Sequence, residues 1–528
     1  MTRKTVAVAF IALAATLLYA FDLGRAPVHL ADDEVFIALS AHSIASTAHD
    51  LNGRFLPLYI QWRPQFFNNP WFANSTWFQP MAVYLTALFL KVLPVSDATV
   101  RLPTVLVGVS DIVLMYFIAA RILTRRLSAI IASALLALTP AHFIHSRFAM
   151  DYLYPVPFVM AWLLCLLIFM DRRQPWVLFV ATSFLGVGFY SYIAAVVMMP
   201  IYLLMTWLVI WKTSTKPMRL VGVAAAGFVW PLLFLIGWLF RHAGAVADTA
   251  QRYKLYDPAG QQHVLGLAPL HFLSIVHRMS VYWQFFDPSY LFFTGGGFTL
   301  SSTHRAGVFL APLIVCVPVG IYQILANRRT LSHVVLLAGL ATAPLAACLV
   351  DEPGAIDREL ELLPFGVLIA TIGIESLVIA SSNVLRLLGI GLVALVPIQF
   401  GFFHADYVGD YGARSAVWFG GNIRGAFDQI VDRQSPDTCP AIYLSTEIPF
   451  IDWRWRLYAI DRGKENLLAR TVYFQAGNLA IQSVPRRSVM LVGADDAAAQ
   501  LLVRSGQLHN VGQTIDLDRR VCCLILER

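Results

Sequence analysis

Charge is scarce in this 528-residue chain: Asp, Glu, Lys and Arg make up only 13% of it, where soluble globular chains carry about 25%. Hydrophobic residues make up 58%, and the mean hydropathy is +0.64. These values exclude a water-soluble enzyme, a nucleic-acid-binding protein and a disordered chain. The apolar stretches do not alternate with period two, so a membrane β-barrel is excluded as well. CxxC pairs and Cys/His metal spacing are absent from the six cysteines. No Gly-rich phosphate loop, internal repeat or low-complexity linker is present. What remains is an all-α polytopic membrane protein.

Apolar runs fall at 5–21, 79–93, 102–120, 127–143, 153–170, 175–190, 193–211, 220–240, 306–325, 333–350, 362–380 and 384–403, each near the length that spans a bilayer. The first could pass for a signal peptide ending at Ala20 but reads as an uncleaved span. The positive-inside rule sorts the rest. If 79–93 does not cross, the inner connections hold 13 basic residues against one acid, Asp171. If it crosses, every later basic loop turns outward. The pattern therefore predicts about 11 transmembrane helices, with 79–93 lying at the outer interface between Pro80 and Pro94. Large outer loops follow at 22–100 and 241–305.

Residues 405–528 hold 14 basic and 14 acidic residues, leaving 25 basic and 18 acidic to 1–404. The +7 excess thus belongs to the membrane region 1–404, while 405–528 reads as a small water-exposed α/β domain, extracytoplasmic by the span count. Strands are expected at Ala441–Ser445, Arg470–Phe474, Val489–Val492 and Val521–Leu526, with a helix at Ala497–Ser505. The domain carries no catalytic motif, and a structural or acceptor-binding role is expected. An oxidising compartment would allow Cys439 to pair with Cys522 or Cys523.

Polar groups at the outer face are the candidates for chemistry. Asp32-Asp33-Glu34 opens a helical pattern through Ser46, where free N–H groups favour negative charge. Capping explains one acid; three adjacent acids call for a cation, metal or substrate. Arg147 lies between the third and fourth spans and either pairs with Asp151 or binds an anion. His304-Arg305 precedes the eighth span and Asp357-Arg358-Glu359 the tenth. Arginine suits bidentate phosphate binding, so Arg147, Arg305 and Arg358 are expected to converge on one headgroup. The aromatics of the first outer loop, Trp62, Trp71 and Trp77 among them, suit a membrane interface. Asp111 and Glu375, inside spans, read as structural pairs between helices.

The order of these groups carries a resemblance. Asp33-Glu34 is followed by Asn52-Gly53-Arg54…Pro57, then Gln79-Pro80…Tyr84, Arg101-Leu102-Pro103…Gly108 and Ser146-Arg147…Asp151. Over roughly residues 20–170 this resembles the GT-C superfamily of membrane glycosyltransferases, in particular bacterial protein O-mannosyltransferases and lipid A aminoarabinose transferases. The resemblance implies a sugar donor carried on a polyprenyl phosphate and used at the outer face. Asp33 falls on the family's catalytic acid and Glu34 on its motif partner. Arg54 and Gln79 join the candidate substrate-binding residues. Gln79 stands where aminoarabinose transferases tend to carry Glu, which puts a metal site there in doubt. The inserted domain that eukaryotic mannosyltransferases carry between late spans is absent.

The expected reaction is a single inverting displacement. Asp33 serves as base or orients the acceptor; Arg147, Arg305, Arg358 and His304 hold the phosphate; Asp151 orients Arg147; Asp32 completes the acidic group. A divalent metal is an open option. Expected partners are the polyprenyl-phosphate sugar, a lipid, glycan or protein acceptor and membrane lipid, in the inner (plasma) membrane with 405–528 in the periplasm. The rival readings are a non-catalytic or ligase-type component of surface polysaccharide assembly and a secondary transporter. A transporter would place ionisable groups near the midplane on repeated, broken helices.

Overall fold

The computed structural model describes residues 3–62, 76–253, 272–327, 330–350, 352–433 and 440–528. Helix α1 (Arg3–Ala20) leads to α2 (Asp32–Thr47), a two-stranded antiparallel ribbon of β1 (Ile60–Trp62) and β2 (Thr76–Phe78), and α3 (Pro80–Leu90). Helices α4 (Asp97–Ile122), α5 (Arg126–Ala137), α6 (Pro140–Ser146), α7 (Pro155–Arg172), α8 (Pro175–Gly188), α9 (Ala195–Thr213) and α10 (Pro217–Arg241) follow. Then come α11 (Ala245–Arg252), α12 (Phe272–Gln284), α13 (Leu313–Asn327), α14 (Leu331–Thr342), α15 (Leu345–Val350), α16 (Leu362–Val378) and α17 (Asn383–Val408). Proline opens α3, α6, α7, α8 and α10, the one helical position where its missing N–H has no cost and its fixed φ suits the helix.

Six segments are long and apolar enough to cross a membrane: Asp97–Ile122, Asp151–Arg172, Ala195–Thr213, Pro217–Arg241, Leu331–Val350 and Asn383–Val408. The pair α5 and α6 makes a seventh if its 62° bend lies within one span. Shorter apolar helices occupy Val6–Ala20, Pro80–Leu90, Pro175–Gly188, Leu313–Asn327 and Leu362–Val378. The chain is a multi-pass membrane protein. Side chains such as Phe234 and Phe402, 70% and 76% exposed, face outward as a bilayer-embedded surface requires.

Close helix approach depends on particular glycines. A Cβ at Gly108 would sit 2.2 Å from Ser146 Oγ, and one at Gly320 or Gly373 would sit 2.0 Å from a carbonyl oxygen of the facing helix. The buried acids inside the bundle join helices. Asp111 lies 3.2 Å from His142, whose other ring nitrogen is 2.7 Å from the Tyr19 hydroxyl. Glu375 accepts from the Thr124 and Ser128 hydroxyls at 2.7 and 3.1 Å.

Beyond α17 lie α18 (Asp410–Ser415), α19 (Ile423–Arg433) and a five-stranded mixed sheet of order β4-β3-β5-β7-β6. Its strands are β3 (Ile442–Ser445), β4 (Thr471–Phe474), β5 (Val489–Gly493), β6 (His509–Ile515) and β7 (Val521–Glu527); β3 runs parallel to β4 and β5, and β7 antiparallel to β5 and β6. Helices α20 (Ile451–Asp461) and α21 (Ala497–Arg504) complete it. Four strands and α21 fall where expected. The edge strand β6 is additional; its largely exposed sequence has little apolar pattern. In α20, Trp455 packs on Phe427 at 4.9 Å within the α/β core, while Trp453 packs on Phe36 of α2 at 5.4 Å. Cys439, and with it the expected pairing, lies outside the described residues, as does Trp71; Cys522 and Cys523 are free thiols.

Candidate active site

Successive residues of a helix point about 100° apart, so the three acids at the start of α2 face three ways. Asp32 accepts from Arg454 of α20 at 3.0 and 2.5 Å. It thereby ties α2 to the C-terminal region instead of entering the substrate site expected for it. Glu34 turns into the core. Its carboxylate accepts from Arg101 Nε and Nη2 at 2.9 and 3.1 Å, from Ala149 N at 2.9 Å and from Ala31 N at 3.0 Å. Both side chains of the Glu34–Arg101 pair are fully buried, and Arg101 also donates to the carbonyls of Leu23, Pro27 and His29. So saturated, the Glu34 carboxylate is engaged in the core and does not line the cavity that Asp33 faces.

Asp33 faces a cavity of about 200 Å³. Gln79, Asp151, Tyr192, Asp248, Arg252, Asp357 and Arg358 line it with Asp33, beside the aromatic rings of Trp62, Trp77, Tyr152 and Tyr253. Burial, with Asp32 next in sequence, pushes the Asp33 carboxyl up to about 7, and Arg252 draws it partly back. Arg358 holds Glu352 through Nε and Nη2 at 2.5 and 3.1 Å and lies 5.3 Å from the Tyr253 ring centre. Asp357 accepts from the Tyr192 hydroxyl at 3.3 Å, and burial raises its carboxyl. A carboxyl raised toward neutrality, two guanidinium groups and planar hydrogen-bonding groups thus share one cavity, a set chemically able to move an anionic leaving group.

A groove of about 890 Å³ adjoins it, lined by Arg54, Leu56, Tyr84, Leu233, Phe234, Trp238 and His242 among others. Trp77, a wall of the cavity, packs edge-on to Trp238 and His242 at 4.9 and 5.0 Å, under Arg54 at 5.1 Å. Arg54 is itself held by Asp50 at 2.6 Å. The groove mixes apolar walls with a cationic rim of Arg54, Arg241 and His242.

The expected convergence of three arginines does not occur. Arg147, fully buried, sits at the end of the bent helix α6 and donates to the carbonyls of Tyr19, Phe21 and Ala26 at 2.6–2.7 Å, between the rings of Phe143 and Tyr407. It caps the last carbonyls of α1, which have no partner within their own helix. Asp151 does not orient it; that carboxylate lines the Asp33 cavity. Arg305 is bound to Asp406 at 2.8 Å and lies 3.6 Å from Asp410. His304, in left-handed backbone, is 3.3 Å from Thr299 Oγ1. Both are outside the cavity lining. Of the expected phosphate ligands, Arg358 alone reaches the cavity, and its companion is Arg252. Sequence reasoning missed Arg252 because it lies within a long outer loop without a flanking motif. Tyr192 was hidden in a two-residue connection. For the optional divalent metal, no group of three or more His, Cys, Asp or Glu among the described residues is arranged to hold an ion.

Residues 76–236 match the family described as dolichyl-phosphate-mannose-protein mannosyltransferase. The structure is similar to that of ArnT from Cupriavidus metallidurans in the apo state, with a TM-score of 0.59 and 12% identity over 99% of this chain and 98% of that one. The same protein bound to undecaprenyl phosphate gives 0.58 and 12% over 98% and 97%. The apo oligosaccharyltransferase of Archaeoglobus fulgidus gives 0.48 and 14% over 96% and 69%. No curated protein matches the chain. The whole-chain likeness defines the fold, that of ArnT. With the family match, the chain is related to the GT-C superfamily glycosyltransferases, the group of the O-mannosyltransferases and ArnT.

Proposed function

We propose that the chain transfers a sugar from a polyprenyl phosphate to a hydroxyl acceptor on a lipid, glycan or protein, at the outer face of the inner membrane. The observation that carries this reading is Asp33, a carboxyl poised near neutrality, in one cavity with Arg252 and Arg358 and next to a groove with apolar walls. The polyprenyl tail occupies the groove and the phosphate meets the two arginines. Asp33 takes the acceptor's proton. The acceptor oxygen bonds to the anomeric carbon from the face opposite the phosphate, and the bond from that carbon to the phosphate oxygen breaks, its electrons leaving with the polyprenyl phosphate. The anomeric configuration inverts. Guanidinium groups stabilise the charge that develops on the leaving phosphate, and the scheme requires no metal.

The related fold of ArnT, whose structure holds undecaprenyl phosphate, supports the carrier. In this reading residues 1–404 form the eleven-span transferase and 405–528 a periplasmic domain clasped to α2 through Asp32 and Arg454. The test is a transfer assay on the purified full-length chain with synthetic undecaprenyl-phosphate sugars and a membrane extract as acceptor source. Wild type is expected to release undecaprenyl phosphate and Asp33→Asn to release almost none. Equal release by the two would overturn the assignment.

A further inference from the structure

The proposed chemistry uses Asp33, Arg252 and Arg358. It leaves three other carboxylates of the cavity, Asp151, Asp248 and Asp357, without a task, and the first and last of these carry the argument. Asp151 is only 2% exposed, and its Oδ1 has no hydrogen-bond partner among the described residues. Buried acceptors in native proteins are normally satisfied, so an acceptor lining a substrate cavity is a place for a ligand's donor. Asp357 is held from one side by the Tyr192 hydroxyl. Both line the same cavity as Asp33.

We infer that Asp151 and Asp357 recognise the transferred sugar, which presents hydroxyl or ammonium groups to them and carries no acidic group. The inference rests on the donor reading above. With the phosphate at Arg252 and Arg358, the sugar is left facing carboxylates. A hydroxyl or ammonium satisfies them, whereas a sugar carboxylate would be set against Asp33, Asp151 and Asp357 in a confined space. Unfavourable charge contacts of this kind are a common source of specificity.

The test is competition binding to the full-length chain in nanodiscs of uncharged lipid. The probes are bare undecaprenyl phosphate and the same carrier bearing glucose, glucosamine or glucuronic acid. Glucosyl and glucosaminyl carriers are expected to bind at least about tenfold more tightly than the glucuronyl carrier. Asp151→Asn and Asp357→Asn keep size and hydrogen bonding, and each should narrow that gap; a loss confined to the glucosaminyl carrier identifies an ammonium as the partner. A glucuronyl carrier bound as well as the glucosyl one, or a gap unchanged in both variants, would overturn the inference. Failure of bare undecaprenyl phosphate to bind would instead overturn the donor reading on which it rests.

Discussion

Glu34 and Arg101 form an ion pair whose two side chains are wholly inaccessible to solvent. It gathers three separated stretches of sequence: the start of α2, the first turns of α4 and, through Ala149 N, the turn after α6. Asp33 is therefore aimed by its neighbour. With Glu34 fixed in the core, the helix can only turn Asp33 toward the cavity.

Removing one partner of a buried pair leaves a charge uncompensated, which costs about 3–5 kcal/mol. Arg101→Met and Glu34→Gln are each expected to lower the unfolding midpoint sharply, and Glu34→Gln/Arg101→Met together to lower it less than the two losses added. Thermal melts of the purified variants read this directly. A wild-type midpoint for Arg101→Met would show that the pair contributes nothing.

Asp33 makes a prediction of opposite kind. As the base it works ionised, so the transfer rate should rise with pH through about 7 and level off above. Arg252→Ala removes the charge that draws its pKa down, so the rising limb should move to higher pH. Asp33→Asn should lower transfer about 10²–10⁴-fold and abolish the limb. Stability should run the other way. Folding raises this carboxyl from its ordinary 3.8 to about 7, so the folded chain holds the proton longer and stability contributed by this group falls as pH rises between those values. Asp33→Asn is thus expected to gain in melting temperature relative to wild type at pH 8 and not at pH 4.

Much of this was legible in sequence because membrane folding is written in composition. Apolar runs, prolines at helix starts and the helical pattern after Asp32 mark the helices of the bundle, and alternating strands mark most of the C-terminal sheet. One member of the acidic triplet, Asp33, lines the candidate cavity. Sequence could not say which way each acid points, since that depends on Arg454 and Arg101, 422 and 67 residues away from their partners. Nor could it separate Arg147 from Arg358. Both are isolated arginines at helix ends, and the difference lies in the bend between α5 and α6, which turns Arg147 inward onto the carbonyls of α1.

That difference is measurable. Arg147→Ala leaves carbonyls of Tyr19, Phe21 and Ala26 without a donor and should lower the melting temperature, since each unsatisfied buried group costs about 1–3 kcal/mol, while donor affinity holds. Arg358→Ala should weaken binding of undecaprenyl phosphate, and Arg358→Lys should restore part of it, keeping charge without the planar fork. Unchanged carrier affinity in Arg358→Ala together with weakened affinity in Arg147→Ala would reverse the two roles.

The last prediction concerns which helices cross. Helix α3, eleven residues from Pro80 to Leu90, spans about 16 Å at 1.5 Å per residue, half the roughly 30 Å of a hydrocarbon core. It also packs on the groove that the donor tail is proposed to fill, with Pro80, Met81 and Tyr84 in its wall. A helix lying at the interface there keeps Asp33, Arg252 and Arg358 on one side of the membrane, because the loops before and after it remain on the same face. If it crossed, every later connection would change sides and basic loops such as Arg172-Arg173 would face outward, against the positive-inside rule. A reporter active only outside the cytoplasm, fused after Asn52 or after Leu93, is therefore expected to give the same signal at both positions. Opposite signals would show that α3 crosses and would separate the two ends of the first outer loop.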